Sequence, residues 1–289
     1  LDYLIHLLIL CCIYLILAQA FNIPFGVGRL FNLAHVAVYS IGAYTTALLS
    51  TEAGFGFFTC ITLSIFISGA FSLLIGGISL KLSDDYFAIG TIAFSAIVSA
   101  LLINWKSLTR GVLGIPGIPR PVIGQIDFYN NYDFFLLILS FVIITQIILY
   151  IFLKNNFGRS LRALAEYPQA ATALGINTRR VKILSFVIAS ATAGLAGSFY
   201  AYYINYIDPS SFSLTEMIFV LTIIVVGKPG SFWGAIASSI FLVLLPEPLR
   251  FIEIPPSILG PMRQMLYALI LFSVVAWKKE TLFPVERSI

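Results

Sequence analysis

The sequence predicts an all-α integral membrane protein: a polytopic bundle of about eight transmembrane helices (roughly seven to nine), with short or broken helices in its C-terminal half. Three observations carry that prediction. Of 289 residues, 59% are hydrophobic and only 10% are charged, whereas a soluble domain carries about 25% charged residues. The mean hydropathy is +0.97. The apolar runs are long and nearly unbroken, as at 134–153, which suits a helix of about 20 residues crossing the hydrocarbon core; barrel strands would alternate over about ten residues. The composition excludes an ordinary soluble enzyme, a nucleic-acid binder and a disordered chain, and makes the lipid bilayer the medium of the fold.

Apolar segments fall at 3–21, 33–50, 55–80, 86–103, 134–153, 183–206, 214–226, 234–249 and 261–277. Of these, 33–50, 214–226 and 234–249 are short or rich in Gly, Ala and Ser, so they read as tilted, broken or re-entrant helices. The chain begins at Leu1. Residues 1–21 are not read as a signal peptide, because no basic stretch precedes them and no small-residue cleavage site follows cleanly. Cys11, Cys12 and Cys60 lie inside apolar runs, form no disulfide framework or metal spacing, and read as small hydrophobes.

The bases set an orientation. Lys154, Arg159, Arg162, Arg179, Arg180 and Lys182 face one acid, Glu166, and the tail adds Lys278, Lys279 and Arg287 against Glu280 and Glu286. Basic loops stay cytoplasmic, so 154–182 and the C-terminus are expected inside. An even number of crossings separates them whether or not 214–226 and 234–249 both span. The 104–133 loop is then external, with Lys106, Arg110 and Arg120 nearly balanced by Asp127 and Asp133 and with Gly and Pro punctuation (Gly111, Gly114, Pro116, Gly117, Pro119, Pro121). That pattern predicts a turn-rich cap on a single domain, 1–289.

Segment 154–182 predicts two short helices. Leu161, Leu164 and Ala165 share one face, with Ser160 placed as a cap. Pro168 and Gly175 bracket a second helix at 168–174, and Thr178 can cap the long helix that follows. The stretch suits either a basic amphipathic element lying on lipid headgroups or a rigid protrusion for a soluble partner.

Within the spans, Ala189, Ala193, Gly197 and Ala201 form one small-residue ladder, and Ser190, Gly194 and Ser198 a second. In lipid, such faces let helix backbones approach closely. Thr91, Ser95 and Ser99 lie on one stripe of 86–103 and suit either the lining of a translocation path or back-bonding to the preceding turn. His35 and Tyr44 join them as path candidates. His6 and His35 stand apart from each other and from acids, so neither reads as catalytic. Asp84 and Asp85, beside Lys81, suit the start of the 86–103 helix. Glu216 is expected to be wetted near the outer end of its span, and Glu247 and Arg250 to pair at the end of theirs.

Gln169-Ala-Ala-Thr-Ala-Leu-Gly175 resembles the Glu-Ala-Ala-x-x-x-Gly loop of ABC-transporter permeases, with Gln169 in place of the acid. More narrowly, the chain resembles the M-type branched-chain amino acid permeases almost end to end. The resemblance runs through Asn32-Leu-Ala-His-Val-Ala-Val-Tyr-Ser-Ile-Gly-Ala-Tyr44, Asp85-Tyr-Phe-Ala-Ile-Gly-Thr91, Leu174-Gly-Ile-Asn177, Ala193-Gly-Leu-Ala-Gly197, Asp208-Pro-Ser-Ser-Phe212, Gly230-Ser-Phe-Trp-Gly234 and Leu245-Pro-Glu-Pro-Leu-Arg250.

The resemblance implies a permease subunit of an importer in the bacterial inner membrane. It implies a heterodimer with a sister permease, two cytoplasmic ATPases docked through Arg162, Glu166, Gln169, Ala170, Ala171 and Gly175, and a periplasmic binding protein that delivers the solute. ATP and Mg²⁺ would be used by the ATPases. This chain is expected to bind no cofactor or metal, and it has no Gly-rich phosphate loop ending in Lys-Ser/Thr. It departs from the family pattern at Ala96 and Ser99, where Glu and Arg are usual, and again at Thr109-Arg-Gly111 and Lys228-Pro229, so it reads as a divergent member. Cargo is therefore branched-chain or related small amino acids, or alternatively urea, an amide or another amino acid. A secondary transporter would need an intramembrane carboxylate or ion site, and none is evident in the sequence.

Overall fold

The computed structural model describes residues 2–79, 82, 84–248 and 256–282. The side chains of Asp84, Asp85 and residues 278–282, the Lys81 and Arg250 positions and residues 283–289 fall outside the description, and with them the roles expected there.

Helix α1 (Asp2–Phe21) is apolar on every side and is buried accordingly, with Ile9, Ile13, Ile16 and Leu17 fully enclosed. A helix without a polar face belongs inside a bundle, and α1 packs against four partners: α6 (Asn131–Lys154), α9 (Thr178–Ile204), α10 (Leu214–Val226) and α11 (Phe232–Leu244). It continues as a π-helical turn over Asn22–Val27. Pro24 lies inside that turn and offers no N–H to a regular ladder.

A second group is built on small residues. Helices α2 (His35–Thr51) and α3 (Phe57–Ser79) lie against α9. Gly197 packs on the backbone of Tyr39 and Ala43, and Gly194 on Ser64 and Ser68. Ser64 Oγ lies 2.9 Å from the Gly42 carbonyl and 3.1 Å from that of Gly194, and Thr46 donates to Ser198 at 2.7 Å. Close backbone approach leaves room for these interhelical hydrogen bonds, which water would otherwise weaken. Helices α4 (Asp84–Asn104) and α12 (Pro256–Leu282) lie at the periphery.

Among the described residues, six helical stretches are long and apolar enough to cross a membrane: Asp2–Val27, Phe57–Gly77, Tyr86–Asn104, Asn131–Lys154, Thr178–Ile204 and Ile258–Trp277. The three shorter ones are those the sequence singles out. At 13 residues each, α10 and α11 are about 20 Å long, short of a hydrocarbon core of about 30 Å. They run as a hairpin around the turn at 227–231, where Gly227 and Gly234 touch through their backbones.

At one end of the bundle, the 105–130 segment forms the expected turn-rich cap, with α5 (Lys106–Thr109), a 3-10 turn (Gly111–Leu113) and three short strands. Strand β1 (Ile115–Pro116) pairs antiparallel with β4 (Tyr206–Ile207), and β2 (Val122–Ile123) pairs with β3 (Ile126–Asp127). Arg120 fastens the cap. Its guanidinium donates to Asn205 (3.3 Å) and Asn131 (3.1 Å) and lies 5.1 Å above the rings of both Phe134 and Tyr203.

At the other end, α7 (Asn156–Glu166) and α8 (Pro168–Ala173) link α6 to α9. Here the structure corrects two capping expectations. Helix α7 starts at Asn156, so Ser160 is an interior residue. Asn177 caps α9, its side chain accepting from the Arg180 N–H at 3.0 Å, and Thr178 is already helical. Asparagine at that position reaches the free N–H groups of the first turn better than the threonine that follows it.

Candidate translocation and docking sites

The hydroxyl stripe of α4 is turned toward the chain entering α2. Thr91 Oγ1 accepts from the Leu33 N–H (3.0 Å) and donates to the Ala88 carbonyl (2.8 Å), while Ser95 donates to the Leu33 carbonyl (3.0 Å). These two hydroxyls clamp one residue of the preceding loop through both its backbone groups. Ser99, one turn further along, is half-buried.

His35 is fully buried at the start of α2, with Nε2 3.1 Å from the Leu17 carbonyl. A carbonyl only accepts, so Nε2 carries the proton, and Nδ1 is left as a buried acceptor without a partner among the described residues. Tyr44 is buried beside Tyr39, and both hydroxyls lack partners among the described residues. Their rings, with that of Tyr200, surround Phe212 at centroid distances of 6.1, 5.2 and 5.8 Å. His35 and Tyr44 thus lie on α2, and Thr91 and Ser95 on α4.

Glu216 is where the structure departs most from the sequence. It lines the same cavity as Tyr14. Tyr14 is twelve residues into α1, about 18 Å from its start. The first turn of α10 therefore lies level with the middle of α1, and Glu216 is half-buried there in a cavity wall, among the rings of Tyr14, Phe219 and Tyr267. Glu247 is engaged by Arg263 (3.9 Å) and by the Tyr3 hydroxyl; Arg250, its expected partner, lies outside the described residues. No local sequence signal gave the depth of Glu216, because that depth follows from where the 205–213 segment lets α10 begin.

The docking candidates sit on the α7–α8 corner. Arg162, Glu166, Gln169 and Ala170 are exposed, while Ala171 is buried beneath them. Gly175 leaves α8 with φ +80°, a backbone state that only glycine adopts freely. Leu161 and Leu164 anchor α7. From there, contacts run inward without a gap. A Cβ on Gly28 would lie 3.0 Å from the Leu161 side chain, and Gly26 presses on the Gly230 backbone with no room for a Cβ. Asn22 then grips the hairpin turn, accepting from the Gly230 N–H (2.9 Å) and donating to the Ser231 carbonyl (3.2 Å), while Gln19 donates to the Phe232 carbonyl (2.9 Å). Beside this path, Arg29, Arg162, Lys228 and Glu166 border a cleft of about 320 Å³.

The small-residue candidates Ala189, Ala193, Gly194 and Gly197 are all buried, and the two glycines sit at the crossings of α9 with α2 and α3. Among the described residues no group of His, Cys, Asp and Glu could hold a metal ion. Cys11, Cys12 and Cys60 are buried free thiols.

A family model described as branched-chain amino acid transport system, permease component, matches residues 3–275. The high-affinity branched-chain amino acid transport system permease protein LivM of Escherichia coli (strain K12) is 33% identical over 96% of this chain and 69% of its own length. The corresponding LivH protein of the same strain is 28% identical over 79% of each chain. The guanosine ABC transporter permease protein NupQ of Bacillus subtilis (strain 168) is 29% identical over 60% of this chain and 53% of its own length. No solved structure matches.

Proposed function

The chain belongs to the branched-chain amino acid transport system permease family, and we propose that it is the M-type permease subunit of an ATP-driven importer for branched-chain or related small amino acids. It is a multi-pass membrane protein. Its proposed location is the bacterial inner membrane, with the α7–α8 corner and the C-terminus in the cytoplasm, as the basic residues of 154–182 favour. A sister permease would complete the path, two ATPases would dock on the corner and use ATP and Mg²⁺, and a periplasmic binding protein would present the solute at the capped end. The match over 3–275, which runs from the first helix into the last, carries this reading.

The continuous contacts from Leu161 through Gly28 and Gly26 to Gly230 support the mechanism. Force applied to an anchored corner would reach the α10–α11 turn through the buried Leu161 side chain and then through the packed backbones of Gly28, Gly26 and Gly230. Uptake of radiolabelled leucine by vesicles bearing the full complex tests the proposal. Uptake should require ATP and survive collapse of proton and sodium gradients. Gradient-driven uptake without ATP would overturn it. The likeness to a guanosine permease, together with Ala96 and Ser99 where charges are usual, supports a second reading with another small solute as cargo; guanosine uptake in the same vesicles, with no leucine uptake, would favour it.

A further inference from the structure

A cavity of about 270 Å³ lies between α1, α10, α11 and α12, and no role proposed above uses it. Three charged side chains face it: Glu216, Glu247 and Arg263. Glu247 is held by Tyr3 and by the Arg263 contact at 3.9 Å. Arg263 Nε is buried without a hydrogen-bond partner among the described residues, while the side chain as a whole is 34% exposed and lines the cavity.

The surroundings of Glu216 are specific. Tyr14 and Tyr267 line the cavity with it. The ring of Tyr14 meets Phe219 edge-on at 5.0 Å, and Phe219 meets Tyr267 at 4.4 Å. A carboxylate flanked by aromatic rings attracts an organic ammonium twice over, by charge and by the negative ring faces. A carboxylate inside the bundle is costly unless it meets a counter-charge. Leu7 and Leu10, on the α1 face that carries Tyr14, and Val243 of α11 add hydrocarbon to the lining. The volume is below the roughly 300–1,000 Å³ of drug-sized sites, so the space suits a small metabolite.

We propose that this cavity binds an aliphatic α-amino acid, with the ammonium at Glu216, the carboxylate at Arg263 and the side chain against Leu7, Leu10 and Val243. The inference rests on the amino-acid reading above for the class of solute and gives that reading a place in the chain.

The test uses the full chain in nanodiscs with Thr215, beside Glu216 in the cavity wall, replaced as Thr215→Cys and alkylated by a maleimide. Leucine and 3-methylbutylamine, which keeps the ammonium, should each slow alkylation by about tenfold, whereas 4-methylpentanoate, which keeps only the carboxylate, should not. Adding Glu216→Gln should remove the protection. Adding Arg263→Gln instead should weaken protection by leucine and leave that by the amine. Should Glu216→Gln aggregate, the Arg263→Gln result and a Tyr14→Leu variant, which removes an aromatic face from the cavity and should weaken protection by both compounds while keeping the carboxylate, decide the matter. Equal protection by the acid and the amine, or protection that ignores Glu216, Tyr14 and Arg263, would overturn the site. Leucine uptake by vesicles without protection of Thr215→Cys removes the site and leaves the transport function. Protection by the amine that depends on Glu216, without leucine uptake, removes the transport function and leaves an ammonium site.

Discussion

Gly42 of α2 and Gly194 of α9 cross with nothing between their backbones: a Cβ on Gly42 would lie 2.5 Å from the Gly194 Cα. The crossing is reinforced by Ser64, which reaches a carbonyl on each helix. Gly42→Val should therefore push the helices apart and cost about 1–3 kcal/mol, the usual range for overpacking. Thermal unfolding in detergent should show a lowered midpoint. The same substitution at Gly54, which has open space around it but a positive φ, should cost only its local backbone strain.

Arg120 holds the cap by two hydrogen bonds and two ring contacts. Arg120→Ala leaves Asn205 and Asn131 each short of a donor, a loss of about 1–3 kcal/mol for hydrogen bonds to a charged group. Limited proteolysis within 105–130 should accelerate, while the spans stay protected. Arg120→Lys should restore only part of the protection, since an ammonium cannot reproduce the flat fork.

Gly175 has φ +80° and no neighbour within 4 Å of a built Cβ. Gly175→Arg should cost the isolated chain only about 1 kcal/mol of left-handed backbone, yet it plants a long cation on the proposed docking face. Co-purification of the ATPases should be lost with little change in the melting of the chain. Gly175→Asn, which tolerates this backbone, should keep it. Normal co-purification of the arginine variant would remove the docking role.

Asp208, in the loop before α10, gives a pH dependence. Burial pushes its carboxyl up, but hydrogen bonds from the Ser210 and Ser211 hydroxyls and the Ser211 N–H outweigh that effect and hold it below the ordinary aspartate value. The folded pKa is thus below the unfolded one, so its stabilisation is complete above the unfolded value, about pH 4, and is lost as pH falls through the folded one. Cleavage of 206–213 by pepsin should rise steeply across that interval. Asp208→Asn should be cleaved at a rate that varies little with carboxyl titration.

Much of this was legible beforehand, because crossing a bilayer demands unbroken apolar runs and the sequence has them. The shortness of 214–226 and 234–249, the cap and the α7–α8 corner all follow from residues close together in the chain. What escaped depends on residues far apart. Ser160 carries a capping side chain, but α6 and α7 are separated only by Asn155, which moves the helix start to Asn156. Thr91 and Ser95 form a visible stripe, but nothing local says that the stripe meets Leu33. Glu216 looks terminal in its own segment, and only the packing of α10 level with the middle of α1 sets it in one cavity with Tyr14.

The grip of Asn22 and Gln19 on the α10–α11 turn has a mechanical consequence. Two half-length helices fastened at their common tip, with their other ends at Ser213 and Leu245, resemble the blades of tweezers. A rotation of about 10° at the tip would swing the far end of a blade about 20 Å long by about 3 Å. Glu216 lies near one such far end and Glu247 just beyond the other, so a tilt too small to disturb the packed glycines would still change the spacing of the two carboxylates.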